Sequence, residues 1–363
     1  MLHKKVVKWI LGLSLQLRLS QRKTLAELVY GAVKCRRVSL ADIGRSLGTD
    51  ALAKHSIKRV WRFLKNYRVC VAEGCRGLVR MAAKAAGGRL FVAVDWVDIG
   101  KYKVLRAAVP LRGRSVPILF GAYRKWRFYK SQNNLEEGLL RLLAALLSGK
   151  TQVVIIADRG FGRAELARTL QEIGFGYVIR VNSQVAFRSR RYSGRLDELG
   201  IRSGMRRDLG FGLFRKMRPV TQRVLMYWGK RKAEPWFLAT NLEWGWKKIL
   251  FAYSRRMSIE ELFRDEKNIR YGWGLRQFRV SSPERLERML LVLAYAYLLL
   301  LLMGVMCQES YSQAHWSSAV GRRRQSSAFV IGRYMINKEK LCIKLLLRLL
   351  TTLLIQLVEE NWG

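Results

Sequence analysis

Histidine is scarce in this chain of 363 residues: only His3, His55 and His315 occur, far apart, and no HExxH-like pair is formed. Metal sites built on paired imidazoles are therefore not supported, and any metal must be held mainly by carboxylates, which favours a hard ion such as magnesium or manganese. Cysteine is nearly as sparse. Cys35, Cys70, Cys75, Cys307 and Cys342 are odd in number, scattered and never in a CxxC arrangement, so neither a zinc site nor a disulfide framework is indicated and the thiols read as reduced and cytosolic. Proline is absent from residues 1–85, which read as helices separated by short polar turns. Acidic residues are the largest deficit. Sixty-eight Lys and Arg stand against 26 Asp and Glu, leaving a formal charge of +42, a field that favours a polyanion and binds it with release of counterions. Nucleic acid is the first partner this implies and an anionic membrane surface the second.

Long apolar runs are also few. The amino terminus has basic flanks but a short apolar run and no small-residue cleavage site, so it reads as a first helix and not a signal peptide. Met289 to Met306 is an eighteen-residue apolar run, at the lower limit for a membrane span. The ERLER helix leads into it without a turn signal, so a helix buried in a large core is expected and no membrane association. With 50% hydrophobic residues the chain is globular and long enough for two or three units.

Residues 1–85 form the expected all-helical DNA-binding domain. Residues 1–68 carry 16 Lys and Arg against three acids. Ile57, Val60, Trp61 and Leu64 make an apolar stripe that leaves Lys58, Arg59, Arg62 and Lys65 outward, either as a recognition helix in a major groove or as a basic helix tracking phosphates. After AAKAAGG the pattern becomes extended: LFVAV, KVLRAAV, VPILFGAY, TQVVIIA, FGYVIRV and PWFLATN read as strands, with NLEEGLLRLLAALLSG and GRAELARTLQEIG as helices. That order predicts an α/β layer on a mixed sheet. Residues 182–235 lose this register, show short alternating runs and hold 14 Lys and Arg against four acids, and so read as a β-rich insertion facing nucleic acid. The catalytic α/β unit then comprises 86–181 and 236–310, and 311–363 is a helical carboxyl-terminal region containing the GRRRQSS loop and the apolar helix from Leu341.

Asp95 and Asp158 follow the apolar strands LFVAV and TQVVIIA, where side chains of neighbouring strands converge and could share a metal. Asp98 competes for the ligand role, but Asp95 follows the unbroken strand directly whereas Asp98 falls at the turn before Gly100. Further on, FAYSRRMSIEELFRDEKN reads as one helix. Tyr253, Arg256, Glu260 and Lys267 are offset by three, seven and fourteen residues, within about 60° of one another at roughly 100° per residue. Glu260 is the candidate third carboxylate.

The spacing Tyr253, Arg256, Glu260, Lys267 resembles the YREK signature of the DDE transposases of bacterial insertion sequences, the group named after insertion sequence four. FVAVDW and ADRGFG are similar to the segments that carry that family's two aspartates, and YVIRV, PWFLATN and GLRQFRVSSPERLERMLLVLAYAYLLLL continue the resemblance from about Leu90 to Met303. It implies an RNase H-like catalytic domain with a β insertion. It also implies cleavage of double-stranded DNA at terminal inverted repeats and 3′-hydroxyl strand transfer into target DNA, in a homodimeric DNA complex within the bacterial cytoplasm and nucleoid. Asp95, Asp158 and Glu260 are then the catalytic metal ligands for two magnesium or manganese ions, and Tyr253, Arg256, Lys267 and Arg159 contact phosphates. An RNase H-like nuclease without strand transfer and a non-catalytic, membrane-associated DNA-binding protein are the alternatives. Trp228, Trp236, Trp244 and Trp246 cluster within 19 residues. Trp236 is expected in the core, and Trp228, beside Tyr227 and a basic turn, is the first choice for stacking on an unpaired base.

Overall fold

Among the described residues, ten strands form one sheet, flanked by helices and preceded by an all-helical region. The computed structural model describes residues 2–127, 132–147, 151–214, 220–230, 233–312, 315–316 and 326–338. The apolar helix expected from Leu341 and most of the GRRRQSS loop lie outside them. The helices of the amino-terminal part are α1 (Leu2–Leu13), α2 (Leu19–Lys34), α3 (Leu40–Arg45), α4 (Ala53–Lys65) and α5 (Val71–Ala85). Ser39 caps α3 by accepting the Asp42 N–H at 2.9 Å, which satisfies one of the free donors at a helix start.

On α4 the buried face is Ser56, Val60, Phe63 and Leu64, which corrects the stripe expected through Trp61. Trp61 is 40% exposed and carries the ammonium of Lys65 at 5.0 Å and the guanidinium of Arg285 at 5.9 Å from its ring centroid. The wholly apolar Phe63 takes the inward place, while the indole face is better used by cations at the surface. Lys58, Arg62 and Lys65 are exposed and Arg59 half-exposed.

The sheet begins with β1 (Arg89–Ile99), β2 (Tyr102–Leu111) and β3 (Arg114–Arg124), followed by α6 (Gln132–Leu146), β4 (Gln152–Ala157), α7 (Ala164–Glu172) and β5 (Gly176–Arg180). Next come β6 (Ala186–Ser189), β7 (Ser193–Arg195), β8 (Arg206–Phe214), β9 (Val220–Tyr227) and β10 (Trp236–Thr240). The spatial order is β3-β2-β1-β4-β5-β10-β9-β8-β6-β7. β1, β4 and β5 are parallel neighbours and the remaining pairs antiparallel, giving the expected mixed sheet of RNase H-like kind. The strands between β5 and β10 extend this same sheet past β10. Their inner side chains, among them Phe187, Leu209, Phe214 and Met226, form a cluster of their own.

Alternation along β1 and β4 sorts two further clusters onto opposite faces. Leu90, Val92, Val94, Val153 and Ile155 join the large core under the helices. Phe91, Val154 and Ile156 join the smaller cluster under α8 (Trp246–Ser254). After α8 come α9 (Met257–Lys267), α10 (Pro283–Ser310) and α11 (Ala328–Met335). The α10 helix is long and apolar enough to cross a membrane, yet its apolar window is wholly buried within the fold; the large core runs from α1 through α10 to α11.

Two buried charge contacts fasten α9 to the sheet. Arg106 of β2 donates to Glu266 at 2.7 Å, each side chain 1% exposed. Arg114 of β3 reaches Asp265 at 2.8 Å, and the Tyr297 hydroxyl of α10 donates to the same Asp265 oxygen at 2.9 Å. Burial pushes the Glu266 carboxyl up, opposed by the Arg106 guanidinium beside it.

Candidate active site

Val94 pairs with Ala157 in the parallel ladder between β1 and β4, so Asp95 and Asp158 occupy the next step on adjacent strands. Both continue the alternation of Phe91, Val154 and Ile156 and therefore face the side on which α8 packs. The chain turns sharply after Asp158, whose carboxylate accepts the Gly160 N–H at 2.9 Å and caps a short 3-10 turn, Arg159–Phe161. Gly162 follows because a Cβ there would stand 2.6 Å from the Arg180 carbonyl oxygen. Asp95 does not end its strand: β1 continues to Ile99 and turns at Gly100, with φ of 56°. Asp98, expected in the turn, is instead paired with Lys103 within the β1–β2 ladder, with its carboxylate 3.1 Å from Lys125 and 55% exposed.

The segment carrying Tyr253 to Lys267 is two helices, not one. Between α8 and α9 the chain tightens into i+3 bonds: Arg256 N–H to the Tyr253 carbonyl at 3.0 Å, and Ser258 N–H to Arg255 at 3.1 Å. The Ser258 hydroxyl also donates to the Arg255 carbonyl at 2.6 Å and lies 2.6 Å from the Ser115 hydroxyl of β3, so the break is tied to the sheet. A small polar residue here competes for backbone bonds that a continuous helix would keep. The angular alignment expected of an unbroken helix thus does not apply across the break.

Arg256 sits at that break. Its guanidinium donates to Glu260 at 2.7 Å and lies 3.5 Å from Asp95, with the arginine side chain 12% and the Asp95 side chain 17% exposed. Burial first, and the charge of Asp158 second, push the Asp95 carboxyl up to about 6; Arg256 acts the other way. Burial also raises the Tyr253 phenol, with Arg256, Arg180 and Asp158 as its charged neighbours. For Arg256 burial opposes the charged form, but Tyr253, Glu260 and Asp95 together hold its pKa above the ordinary value. One arginine thus joins a β1 aspartate to the α9 glutamate, and the second aspartate, Asp158, acts on the Asp95 carboxyl.

Tyr253 is only 4% exposed, edge-on to Trp236 at 4.9 Å, so its ring is packed and only its hydroxyl end approaches the charges. Lys267 lies at the far end of α9. Its ammonium is held low, first by burial and then by Arg276, with Asp98 and Glu266 opposing. Arg159 is exposed, 4.0 Å from Glu234. Trp228 is half-buried and its backbone pairs with Gly204 and Met205. Trp236, Trp244 and Trp246 are half-buried against the cluster under α8.

Sequence reasoning missed two features. Glu136 is fully buried beneath the aspartate-bearing strands, and nothing distinguishes it from Glu137 in the string NLEEGLL. Arg106 did leave a signal, a lone cation inside the apolar run KVLRAAV, which implies a buried partner.

Carboxylates alone make an oxygen-only donor set suited to a hard divalent cation, and the guanidinium between Asp95 and Glu260 shows that positive charge is accommodated there. As the side chains stand, no three His, Cys, Asp or Glu among the described residues are grouped closely enough to hold one ion. None of the curated proteins compared with the chain matches it. Residues 130–299, which include Asp158 and Glu260 but begin after Asp95, match the family model of the transposase DDE domain; set within a mixed α/β sheet flanked by helices, that match indicates a DDE transposase, a DNA-cleaving and strand-transferring enzyme.

Proposed function

We propose that the protein is an insertion-sequence transposase of the group named after insertion sequence four, cutting its element at the terminal inverted repeats and joining the freed 3′-hydroxyl ends to target DNA by cut-and-paste. DDE transposases act on DNA and generally use divalent metal ions. In this reading Asp95, Asp158 and Glu260 hold two magnesium or manganese ions. Such ions, when bound, stabilise the charge of attacking and leaving oxygens in an in-line phosphoryl displacement. The observation that carries the reading is the shared guanidinium: Arg256 contacts both Asp95 and Glu260, although the two carboxylates come from opposite ends of the catalytic segment.

The chain's own groups complete the task. Arg256, with a buried Nε that finds no partner among the described residues, leaves the carboxylates for a phosphate of the strand being cut, a charge-assisted bond that desolvation strengthens. Lys267 and the exposed Arg159 meet further phosphates, and the Tyr253 hydroxyl orients Arg256. Residues 1–85 bind double-stranded DNA, residues 182–235 add a basic surface, Trp228 offers a face for an unpaired base, and a homodimer synapses the two ends in the bacterial cytoplasm.

Incubation of the purified protein with magnesium, end-repeat DNA and a supercoiled target tests this reading. Joined products are expected. Nicked DNA without joining would indicate a nuclease, and a mobility shift alone a binding protein. The basic face of α4 has its own test. Replacing Arg59, Arg62 and Lys65 together by alanine should lower end affinity and flatten the dependence of log K on log salt by about two to three units, because each phosphate contact releases about 0.9 counterion. A slope equal to that of the unaltered protein would place DNA binding elsewhere.

A further inference from the structure

We propose that Glu136 is a positioning residue that clips together the two neighbouring stretches of chain bearing Asp95 and Asp158 and so sets the gap offered to a divalent cation; this rests on the reading of those two aspartates as metal ligands. Glu136 lies on α6 with its side chain fully buried. One carboxylate oxygen accepts the Trp96 indole N–H at 2.7 Å and the Gln132 amide at 3.1 Å. The other accepts the Arg163 guanidinium, which also donates to the Asn133 carbonyl at 3.1 Å.

The partners' positions give this contact its meaning. Trp96 is the residue after Asp95, and alternation points its side chain to the face opposite Asp95. Arg163 ends the loop that begins at Asp158, its N–H bonded to the Phe161 carbonyl at 2.8 Å. The ladder between β1 and β4 stops at Val94 and Ala157. Beyond it no β1–β4 backbone pair opposes the mutual repulsion of two carboxylates on neighbouring strands, a repulsion strengthened by their partial burial. Glu136 spans that gap from behind, its carboxylate accepting a neutral indole donor from β1 and a charged guanidinium from the loop after β4. A buried carboxylate persists only when so paired, and groups behind metal ligands commonly change metal affinity by 10–100-fold.

The test is Mn2+ affinity of the full-length, DNA-free protein, measured by titration calorimetry beside the melting temperature. Glu136→Gln, which keeps an acceptor for Trp96 but loses the charge for Arg163, is expected to weaken Mn2+ binding about 10-fold. Trp96→Phe, which removes only the indole donor, should weaken it less, and Glu136→Asp should recover part of the loss. If Glu136→Gln does not fold, Trp96→Phe and Arg163→Lys test the two arms with the glutamate in place. A drop in melting temperature with unchanged Mn2+ affinity would make the contact merely structural and overturn the clip. Asp95→Asn separates the two readings: if it abolishes Mn2+ binding while the Glu136 and Trp96 variants bind normally, the clip alone falls; if Asp95→Asn binds Mn2+ unchanged, the metal site falls and the clip with it.

Discussion

Asp158→Asn is expected to lower DNA cleavage about 1000-fold or more, a loss of roughly 4 kcal/mol of transition-state stabilisation, while leaving binding to end-repeat DNA close to normal. The same holds for Asp95→Asn and Glu260→Gln. Each exchange keeps side-chain size and hydrogen-bonding capacity but removes the negative charge proposed to hold a cation. Asp158 is the sharpest case, because its fold role is small: the carboxylate caps a single 3-10 turn through one bond to Gly160, and asparagine can make that bond too. Asp98→Asn supplies the contrast, since its carboxylate is 55% exposed and paired with Lys125, where removal should change cleavage little. Near-normal cleavage by any of the three variants in magnesium would strike that residue from the site, and a severe Asp98 defect would move the ligand role to it. Gel quantification of cleaved ends at saturating DNA separates these outcomes.

The second large effect is on stability. Arg106→Met should destabilise the protein by about 3–5 kcal/mol, the usual cost of leaving one member of a buried pair without its partner. Glu266 is 1% exposed and its carboxyl is already pushed up by burial, so without the guanidinium it must take up a proton or remain charged in an apolar place. Glu266→Met should cost a similar amount, because Arg106 cannot readily lose its charge. Breaking the pair loosens α9, and with it Glu260, from β2. The double variant Arg106→Met with Glu266→Met is expected to recover much of the loss, since Arg106 Nε and Nη2 find no hydrogen-bond partner among the described residues even in the intact pair and a well-packed apolar replacement of such pairs is often neutral. Denaturant unfolding of the three variants measures this; single variants within about 1 kcal/mol of the parent would show that packing alone holds α9.

The two strands beside the aspartates were legible because apolar runs followed directly by an acid have few other readings, and LFVAV and VVIIA did become parts of the neighbours β1 and β4. The buried apolar helix was legible for a similar reason, its ERLER lead-in becoming the first turns of α10. What failed was local punctuation. The helix breaks at Arg255 and Arg256, where the Ser258 hydroxyl bonds the Arg255 carbonyl, a side-chain contact that periodicity does not register. Asp98 stayed in the strand because the turn at Gly100 and Lys101 takes only two residues, with Ile99 already paired to Tyr102. Trp61 left the core because Phe63 filled the inward place. Glu136 was invisible because its partners, Trp96 and Arg163, are 40 and 27 residues away in the chain, and only the packing of α6 under the sheet brings them together.

The most direct measurement is anomalous scattering from crystals of the full-length protein grown with Mn2+ and end-repeat DNA. Manganese density within coordination distance of Asp95 and Asp158, with a second peak reaching Glu260 and the Arg256 guanidinium moved onto a phosphate, is the expected result. Arg256 still bridging Asp95 and Glu260 beside bound DNA, with manganese elsewhere or at Asp98, would contradict it.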